Sequence, residues 1–508
     1  MLELRGLNRF VCVGIDGWTN INGKHLYNVL LLSEHRAYYY KTIVTDEPKE
    51  TAIVLAKHIV PIIEELIAVH QLKIIGFVAD NEATNLAIRN IIAERYPFIS
   101  WQGCAAHAVQ LLCGEICREP SIVKSLNQVT KLVQFFRHSK ANYVRFKQLQ
   151  PLTPDSPKPL SLLYWCDTRW TSRVACCTRL LRVRKTIDLF SEICYPALGI
   201  HPEDSHTFWF NVDIVNRVLQ PFLDACNAFQ SDSSNLYTLH RHMLKLKTDI
   251  DGIFMKLVSE YCPELSIPQH QRYHNMIGRI RVQVNKAMNS NFEQYFSHPA
   301  IHAVRSVLNI EATNERDAMD LLRGRTWLLD WGTKLLKQYY NGDATTLEAL
   351  KAQLHHYNQQ EGMFGQMSVE VARLVAKDGK SFEIVKHKLL EMEIFASQIT
   401  HALIALFSLS VSEAAVERSF SIQKIVHSLL RNCLSDDEVE NEMRVKFNLK
   451  QLKVSIKTST QLNPELYLDA EATVLNEVLK ELDNLTNMNE TNEIETHNAS
   501  IQTKPITP

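Results

Sequence analysis

The sequence predicts a mixed α/β protein in which a small sheet is followed by a long all-helical stretch. Three observations lead to this prediction. The first 110 residues alternate short apolar runs rich in Val and Ile with amphipathic segments. Strand signals nearly vanish between about residues 176 and 395, where long amphipathic stretches follow one another. Glycine supplies only 16 of 508 residues, which is low against an average of roughly 7% and favours helices over tight turns.

Seven predicted elements follow one another in the first part of the chain. The first three runs are spaced closely enough to pair as antiparallel strands, and a helix, a fourth strand, a second helix and a fifth strand come next. Pro61 is expected to kink or restart the first helix. The order β-β-β-α-β-α-β is that of the ribonuclease H-like fold, in which the first and fourth strands are neighbours. The predicted elements are FVCVGIDGW, HLYNVLLLS, AYYYKTIVT, TAIVLAKHIVPIIEELIAVH, LKIIGFVAD, ATNLAIRNIIAERY and FISWQGC.

Three acidic residues occupy the positions where such a fold would need them for phosphodiester chemistry. Asp16 and Asp80 lie on the first and fourth predicted strands, and Glu417 lies on a distant stretch with a helical pattern. Converging carboxylates supply the hard oxygen ligands that Mg²⁺ or Mn²⁺ prefers, and such ions activate a nucleophile and stabilise a leaving oxygen. The alternative is ordinary solvated surface, because the chain contains 56 Asp and Glu residues.

Composition and charge limit the partners, the membrane arrangement and the compartment that we expect for this chain. The net charge of −1 gives no bulk positive field, so DNA binding would depend on local patches. The start of the chain lacks the apolar region of a signal peptide, and no apolar run is long enough to cross a membrane. Eleven scattered cysteines indicate free thiols in a reducing compartment rather than a disulfide framework.

The composition changes along the chain predict five segments. We expect a ribonuclease H-like sheet core to be interrupted by a large all-α insertion domain and completed after it. The predicted segments are 1–175 (first part of the core), 176–394 (helical insertion), 395–455 (C-terminal part of the core), 456–484 (helical extension) and 485–508 (disordered tail).

Five motifs in order resemble those of the hAT superfamily of DNA transposases and their domesticated descendants. The resemblance covers roughly residues 10–175 and 395–450, and includes the DUF659-like domain and the C-terminal segment often called the hAT dimerisation region. Each motif alone is weak, whereas five in order at plausible spacing are strong. The motifs are IDGWTN, VADNEATN, WQGCAAHAVQLL, DTRWTS and SEAAVERSFSIQKIVHSLLRNCL.

The resemblance implies roles for particular residues. It assigns metal binding and catalysis to Asp16, Asp80 and Glu417, of which Glu417 is preferred over Glu413 because Arg-Ser-Phe-Ser follows it. Arg169 and Trp170 match a segment that lies near the DNA end in relatives, where the tryptophan can stack on an extruded base. The alternative for the tryptophan is a buried side chain on the helix that enters the insertion. The sequence favours neither the DNA contact nor the buried position for Trp170.

Cys104 and His107 form a Cys-x-x-His pair that superficially resembles a zinc site together with Cys113 and Cys117. On one helix, at about 100° per residue, the two later cysteines would share a face nearly opposite the first pair. We therefore expect no zinc and interpret Cys104 and His107 as a structural motif at a helix start.

Two functional hypotheses follow from the resemblance. The first is a transposase-like enzyme that cleaves and transfers DNA strands by a two-metal DDE mechanism and forms a homo-oligomer through its C-terminal region. The second is a domesticated, catalytically silent protein that binds DNA or chromatin and dimerises. The early first strand suggests that the BED-type zinc finger of relatives is absent, which favours the second hypothesis. Both place the protein in the nucleus.

Overall fold

The computed structural model of the protein describes the chain in several ranges. Arg169, Asp167 and Cys433 lie outside the described residues, as do the predicted helical extension 456–484 and the predicted disordered tail 485–508. The described ranges are 2–5, 9–19, 23–34, 36–45, 51–153, 159–165, 170–194, 202–231, 234–296, 298–343, 345–377, 382–426, 434–435 and 437–449.

One mixed sheet forms the amino-terminal part of the described chain. The strand order is β3-β2-β1-β4-β5. β2 runs antiparallel to β1 and β3, whereas β4 runs parallel to β1 and β5. The first and fourth strands are therefore neighbours, and the predicted fold class is confirmed: a ribonuclease H-like sheet core with a large helical insertion. The strands are β1 (Phe10–Thr19), β2 (His25–Ser33), β3 (Arg36–Thr45), β4 (Lys73–Ala79) and β5 (Ser100–Gly103).

Helices make up most of the remaining described chain. α1 continues through Pro61, although a kink or restart was predicted there. The predicted boundaries at 175 and 394 fall inside α6 and α16. The helices are α1 (Ala52–Ala68), α2 (Ala83–Arg95), α3 (Ala105–Ile116), α4 (Pro120–His138), α5 (Lys140–Leu149), α6 (Thr171–Arg182), α7 (Arg184–Cys194), α8 (Pro202–Phe229), α9 (Leu236–Tyr261), α10 (Pro268–Phe296), α11 (Pro299–Val307), α12 (Glu315–Tyr339), α13 (Thr346–Asn358), α14 (Gly362–Lys377), α15 (Phe382–Leu390), α16 (Glu393–Phe407) and α17 (Ala414–Val426), followed by α18 (437–449).

The segment that follows α16 packs directly on one face of the sheet. A Cβ atom at Gly14 of β1 would lie 3.1 Å from Val416, and one at Gly76 of β4 would lie 3.1 Å from Leu409. Larger side chains at these two glycines would push the segment away. The backbone amide of Ser410 also donates to Cys12 Sγ at 3.4 Å. The two glycines thus let Leu409 and the start of α17 approach β1, which carries Asp16, and β4, which ends just before Asp80.

Helix α12 ties the helical block to the sheet core. Trp331 Nε1 donates to the backbone oxygen of Phe98 at 2.8 Å, and the Tyr339 hydroxyl donates to the backbone oxygen of Ile74 at 2.9 Å. Both side chains are largely buried. The inserted helices therefore satisfy backbone acceptors of the core as well as packing among themselves.

The chain divides into two units, Met1–Arg444 and Val445–Pro508. All strands and the helices α1 to α17 belong to the first unit. Of the second unit, residues 445–449 are described, and they are helical. No helix among the described residues is both long enough and apolar enough to cross a membrane.

Candidate active site

Asp16 and Asp80 lie at the same edge of the sheet. Gly14 pairs with Val78 in the parallel β1–β4 ladder. Asp16 comes two residues after Gly14, and Asp80 comes two residues after Val78. Because side chains along a strand alternate between faces with a period of two, each aspartate lies on the same face as the residue two positions before it. Adjacent strands in register share that face. Continuing this register places Asp80, the residue directly after β4, beside Asp16 of β1.

Glu417 reaches this edge on the first turn of α17. The preceding residue, Val416, lies against the Gly14 position, so the start of α17 sits on the face that carries Asp16. The segment leading into α17 is fixed from the other side, since the backbone amide of Ala105 donates to the backbone oxygen of Val411 at 2.8 Å. Backbone contacts with β1 and with the start of α3 thus position the third acid.

A buried polar network holds α17 against the sheet. Asn28 of β2 pairs directly with Asp16 of β1. Its Nδ2 donates to Ser419 Oγ at 2.7 Å and to Gln423 Oε1 at 2.9 Å, and all three of these side chains are buried. Trp18 Nε1 also donates to Gln423 Oε1 at 3.2 Å. The helix that carries Glu417 is therefore bonded to the strand beside Asp16.

Sequence reasoning missed this network. The one available signal was Asn28, the single amide within the apolar run HLYNVLLLS. Ser419 and Gln423 belong to the motif that carries Glu417, yet nothing in the sequence joins that motif to the second strand. A buried amide needs partners for its donors and acceptors, but the pattern does not say where they are.

Local hydrogen bonds orient Asp80. Its Oδ1 accepts from Asn85 Nδ2 at 2.6 Å and from the backbone amide of Glu82 at 3.0 Å. Both donors belong to the turn and first helical residues that follow β4, and Asn85 is buried. The sequence after the strand, DNEATN, therefore fixes the direction in which the carboxylate points.

The carboxylates at this edge influence one another electrostatically. The pKa of Asp16 is raised from an ordinary 3.8 to about 8, first by burial and then by repulsion from Glu417 and Asp80. The backbone amide of Gly17, which donates to Asp16 Oδ1 at 2.8 Å, acts in the opposite direction. Both of the other predicted acids thus contribute to the raised pKa of Asp16.

Glu413, the alternative third acid, also interacts electrostatically with Asp16. Burial raises its pKa well above the usual range, and repulsion from Asp16 and from Glu417 raises it further. Asp16 thus interacts with both candidate glutamates.

The donor set suits a hard divalent cation. Carboxylate oxygens are the ligands that Mg²⁺ and Mn²⁺ prefer, and mutual repulsion is what a bound cation would relieve. Among the described residues, no three His, Cys, Asp or Glu side chains are already positioned closely enough to hold an ion. The residues present fit a divalent cation through the chemistry of their carboxylate oxygens.

Residues 8–132 match the family model of a domain of unknown function, DUF659. DUF659 is a domain family associated with hAT-like transposases. The match contains Asp16 and Asp80, while Glu413 and Glu417 lie beyond it. No curated protein matches the chain.

Cys104 and His107 lie within the matched region and form the start of α3. Cys104 is the residue that caps this helix, and its thiol accepts from the backbone amide of His107. The backbone amide of Cys104 donates to the backbone oxygen of Ala79, at the end of β4, at 2.8 Å. Cys113 lies near Cys117 on the same helix, and both are buried. The Cys-x-x-His pair thus joins α3 to the strand that precedes Asp80.

Trp170 lies at the start of α6, against α3. A Cβ atom added at Gly114 of α3 would approach the Trp170 indole to 2.9 Å. The guanidinium of Arg173 lies over the indole ring at 3.6 Å from its centre, which is a close cation–π contact. One face of the ring is therefore already covered, so a base could stack there only if Arg173 moved. Arg169, the other predicted DNA contact, lies outside the described residues.

Proposed function

We propose that this chain is a hAT-type transposase-like protein that cleaves DNA strands and transfers them, with Asp16, Asp80 and Glu417 as ligands of divalent metal ions. One observation carries the proposal: Val416, the residue before Glu417, packs against Gly14 of β1, two residues before Asp16, although Glu417 is far from Asp16 in sequence. A fold could leave such residues anywhere on its surface. Carboxylates that converge beside adjacent strands are what metal-dependent phosphodiester cleavage requires.

Each acid has a distinct support from the chain. Asp16 is held on β1 with one oxygen bonded to the backbone amide of Gly17, and Asp80 is oriented by Asn85. Glu417 is carried on a helix that Asn28 anchors to the sheet. When bound, Mg²⁺ or Mn²⁺ would activate a water molecule or a 3′-hydroxyl as the nucleophile and would neutralise charge on the leaving oxygen. The chain's own contribution is to hold its carboxylates in place for that ion.

The direct test is nicking of supercoiled plasmid DNA by the purified full chain with Mg²⁺ or Mn²⁺. Asp80→Asn is expected to abolish nicking because it removes a charged ligand while keeping the size of the side chain. Asp330→Asn is the matched control, since Asp330 is an exposed helix residue that pairs with Lys334. This control is expected to nick at the rate of the unmodified chain.

The outcomes separate the two functional hypotheses. Nicking that requires metal and Asp80 supports the enzyme. Nicking that survives Asp80→Asn would show that the cleavage arises elsewhere and would contradict the proposal. Metal binding and DNA binding without any cleavage would favour the silent, DNA-binding descendant.

We also propose that the protein binds DNA and forms a homo-oligomer through its C-terminal region. In the first unit, Val439 and Met443 of α18 are buried within the single chain. Thr42 donates its backbone amide to Glu440 at 3.3 Å, and Arg444 donates to the backbone oxygen of Tyr40 at 3.2 Å. This face of α18 is therefore used inside the chain, so a second copy would have to use another face. Light scattering of the purified protein measures its oligomeric state. The location of the protein in the nucleus stays a prediction.

A further inference from the structure

Glu413 has a buried carboxyl group with one oxygen atom that lacks a hydrogen-bond partner in the described part of the chain. Its side chain is 1% exposed, and its Oε2 atom has no hydrogen-bond partner within the described structure. Its backbone oxygen accepts from the amides of Val416 and Glu417 at 2.6 and 3.2 Å, so the residue begins α17 and cannot swing away with a loop.

Proteins rarely bury a polar atom without a partner, and such an atom in a native structure calls for a specific explanation, such as a water molecule or an ion. The side chains that act on this carboxyl include the thiol of Cys104, which hydrogen-bonds to it, and the carboxyl groups of Asp16 and Glu417, which repel it. A positive ion among these carboxylates would satisfy the unpartnered oxygen and offset the repulsion at once.

We propose that Glu413 is a fourth carboxylate ligand of the divalent metal site, acting together with Asp16, Asp80 and Glu417. This inference rests on the proposed function, because it extends the same site. Two observations support it: Val416, three residues after Glu413, packs against Gly14 on the face of the sheet that carries Asp16, and one oxygen of the enclosed Glu413 carboxyl has no hydrogen-bond partner among the described residues. Glu413 and Glu417 lie four residues apart at the start of one helix, so both can face the same ion.

Calorimetric titration with Mn²⁺, in the absence of DNA, measures the contribution of Glu413 to the site. Glu413→Gln keeps the size of the side chain and removes its charge. The expected result is a loss of Mn²⁺ affinity of at least about tenfold, the scale on which removing a supporting metal contact acts. Glu82→Gln is the matched control, since Glu82 also repels Asp16 but is exposed on the surface. This control is expected to keep its affinity within about twofold, as expected for a surface substitution.

Thermal unfolding provides a second readout that separates ligation from a purely structural role. Without metal, Glu413→Gln is expected to keep or raise the melting temperature, because it removes an unsatisfied buried acid beside Asp16. With Mn²⁺, the variant is expected to gain less stability than the unmodified chain. A variant that is destabilised without metal and still gains the full Mn²⁺ stabilisation would show that Glu413 is structural only.

Failure of this inference is distinguishable from failure of the proposed function. Unchanged Mn²⁺ affinity in Glu413→Gln, with Asp80→Asn defective, would overturn the fourth ligand and leave the three-acid site intact. Glu413-dependent Mn²⁺ binding without DNA cleavage would support the ligand and contradict the enzyme. An unmodified chain that binds no Mn²⁺ would overturn both.

Discussion

Asn28 of β2 donates its side-chain amide to Ser419 Oγ of α17 at 2.7 Å, with both side chains fully buried. The bond spans most of the sequence and joins the strand beside Asp16 to the helix that carries Glu417. Asn28 Oδ1 in turn accepts from the hydroxyl of Thr42 on β3 at 2.7 Å. One asparagine thus connects the two halves of the candidate site.

Replacing Asn28 with alanine is expected to destabilise the protein, because Ser419 and Gln423 would lose a buried partner. A buried polar group left unsatisfied costs about 1–3 kcal/mol, and chemical denaturation measures this loss. Asn90→Ala is the control, since Asn90 is exposed on α2. If Asn28→Ala unfolds at the same denaturant concentration as Asn90→Ala, the network does not hold α17 in place.

The metal-free protein is expected to lose stability as the pH rises from about 4 to about 8. The folded pKa of Asp16 is raised from 3.8 to about 8, first by burial and then by Glu417 and Asp80. Between these pH values the folded state holds a proton that the unfolded state has released, so stability falls with rising pH. Denaturant titrations across this range should show a shallower decline for Asp16→Asn. An identical slope in both proteins would contradict the electrostatic account of the cluster.

A second pH effect is expected from His240 of the helical block, with the opposite sign. Burial, followed by repulsion from Arg305 and His302, lowers the pKa of His240 from 6.5 to about 4. The unfolded state gains a proton first as the pH falls, so stability is lost between about pH 6.5 and pH 4. His240→Gln should reduce this loss, whereas the same change at exposed His355 tests the general effect of losing a histidine. Equal acid sensitivity of the two variants would exclude His240 as the cause.

Local pattern was enough to predict the sheet and the position of two acids. Three closely spaced apolar runs followed by alternating helices and strands leave few ways to build a sheet, and β1 and β4 are neighbours as expected. Asp16 and Asp80 follow directly from that pairing, because they lie two residues after Gly14 and Val78, which pair with each other. Glu417 was placed by resemblance to a family motif, since its own helical pattern contains no information about the sheet.

Long-range packing could not be predicted from the sequence. A proline inside a predicted helix suggests a break, yet α1 continues through Pro61. Trp170 is covered by Arg173, a neighbour on the same helix start, and no pattern distinguishes a covered tryptophan from one open to DNA. The bonds from Trp331 and Tyr339 to the sheet likewise join positions that are far apart in the chain. Such contacts depend on how elements meet, which periodicity does not encode.

Anomalous X-ray scattering from crystals of the full chain grown with Mn²⁺ tests the central claim most directly. The account predicts an anomalous peak at about 2 Å from carboxylate oxygens of Asp16, Asp80 and Glu417, and loss of that peak in Asp80→Asn crystals. Mn²⁺-loaded crystals with no peak between these residues, or with Glu417 turned away from the other two acids, would contradict the metal site and the function proposed from it.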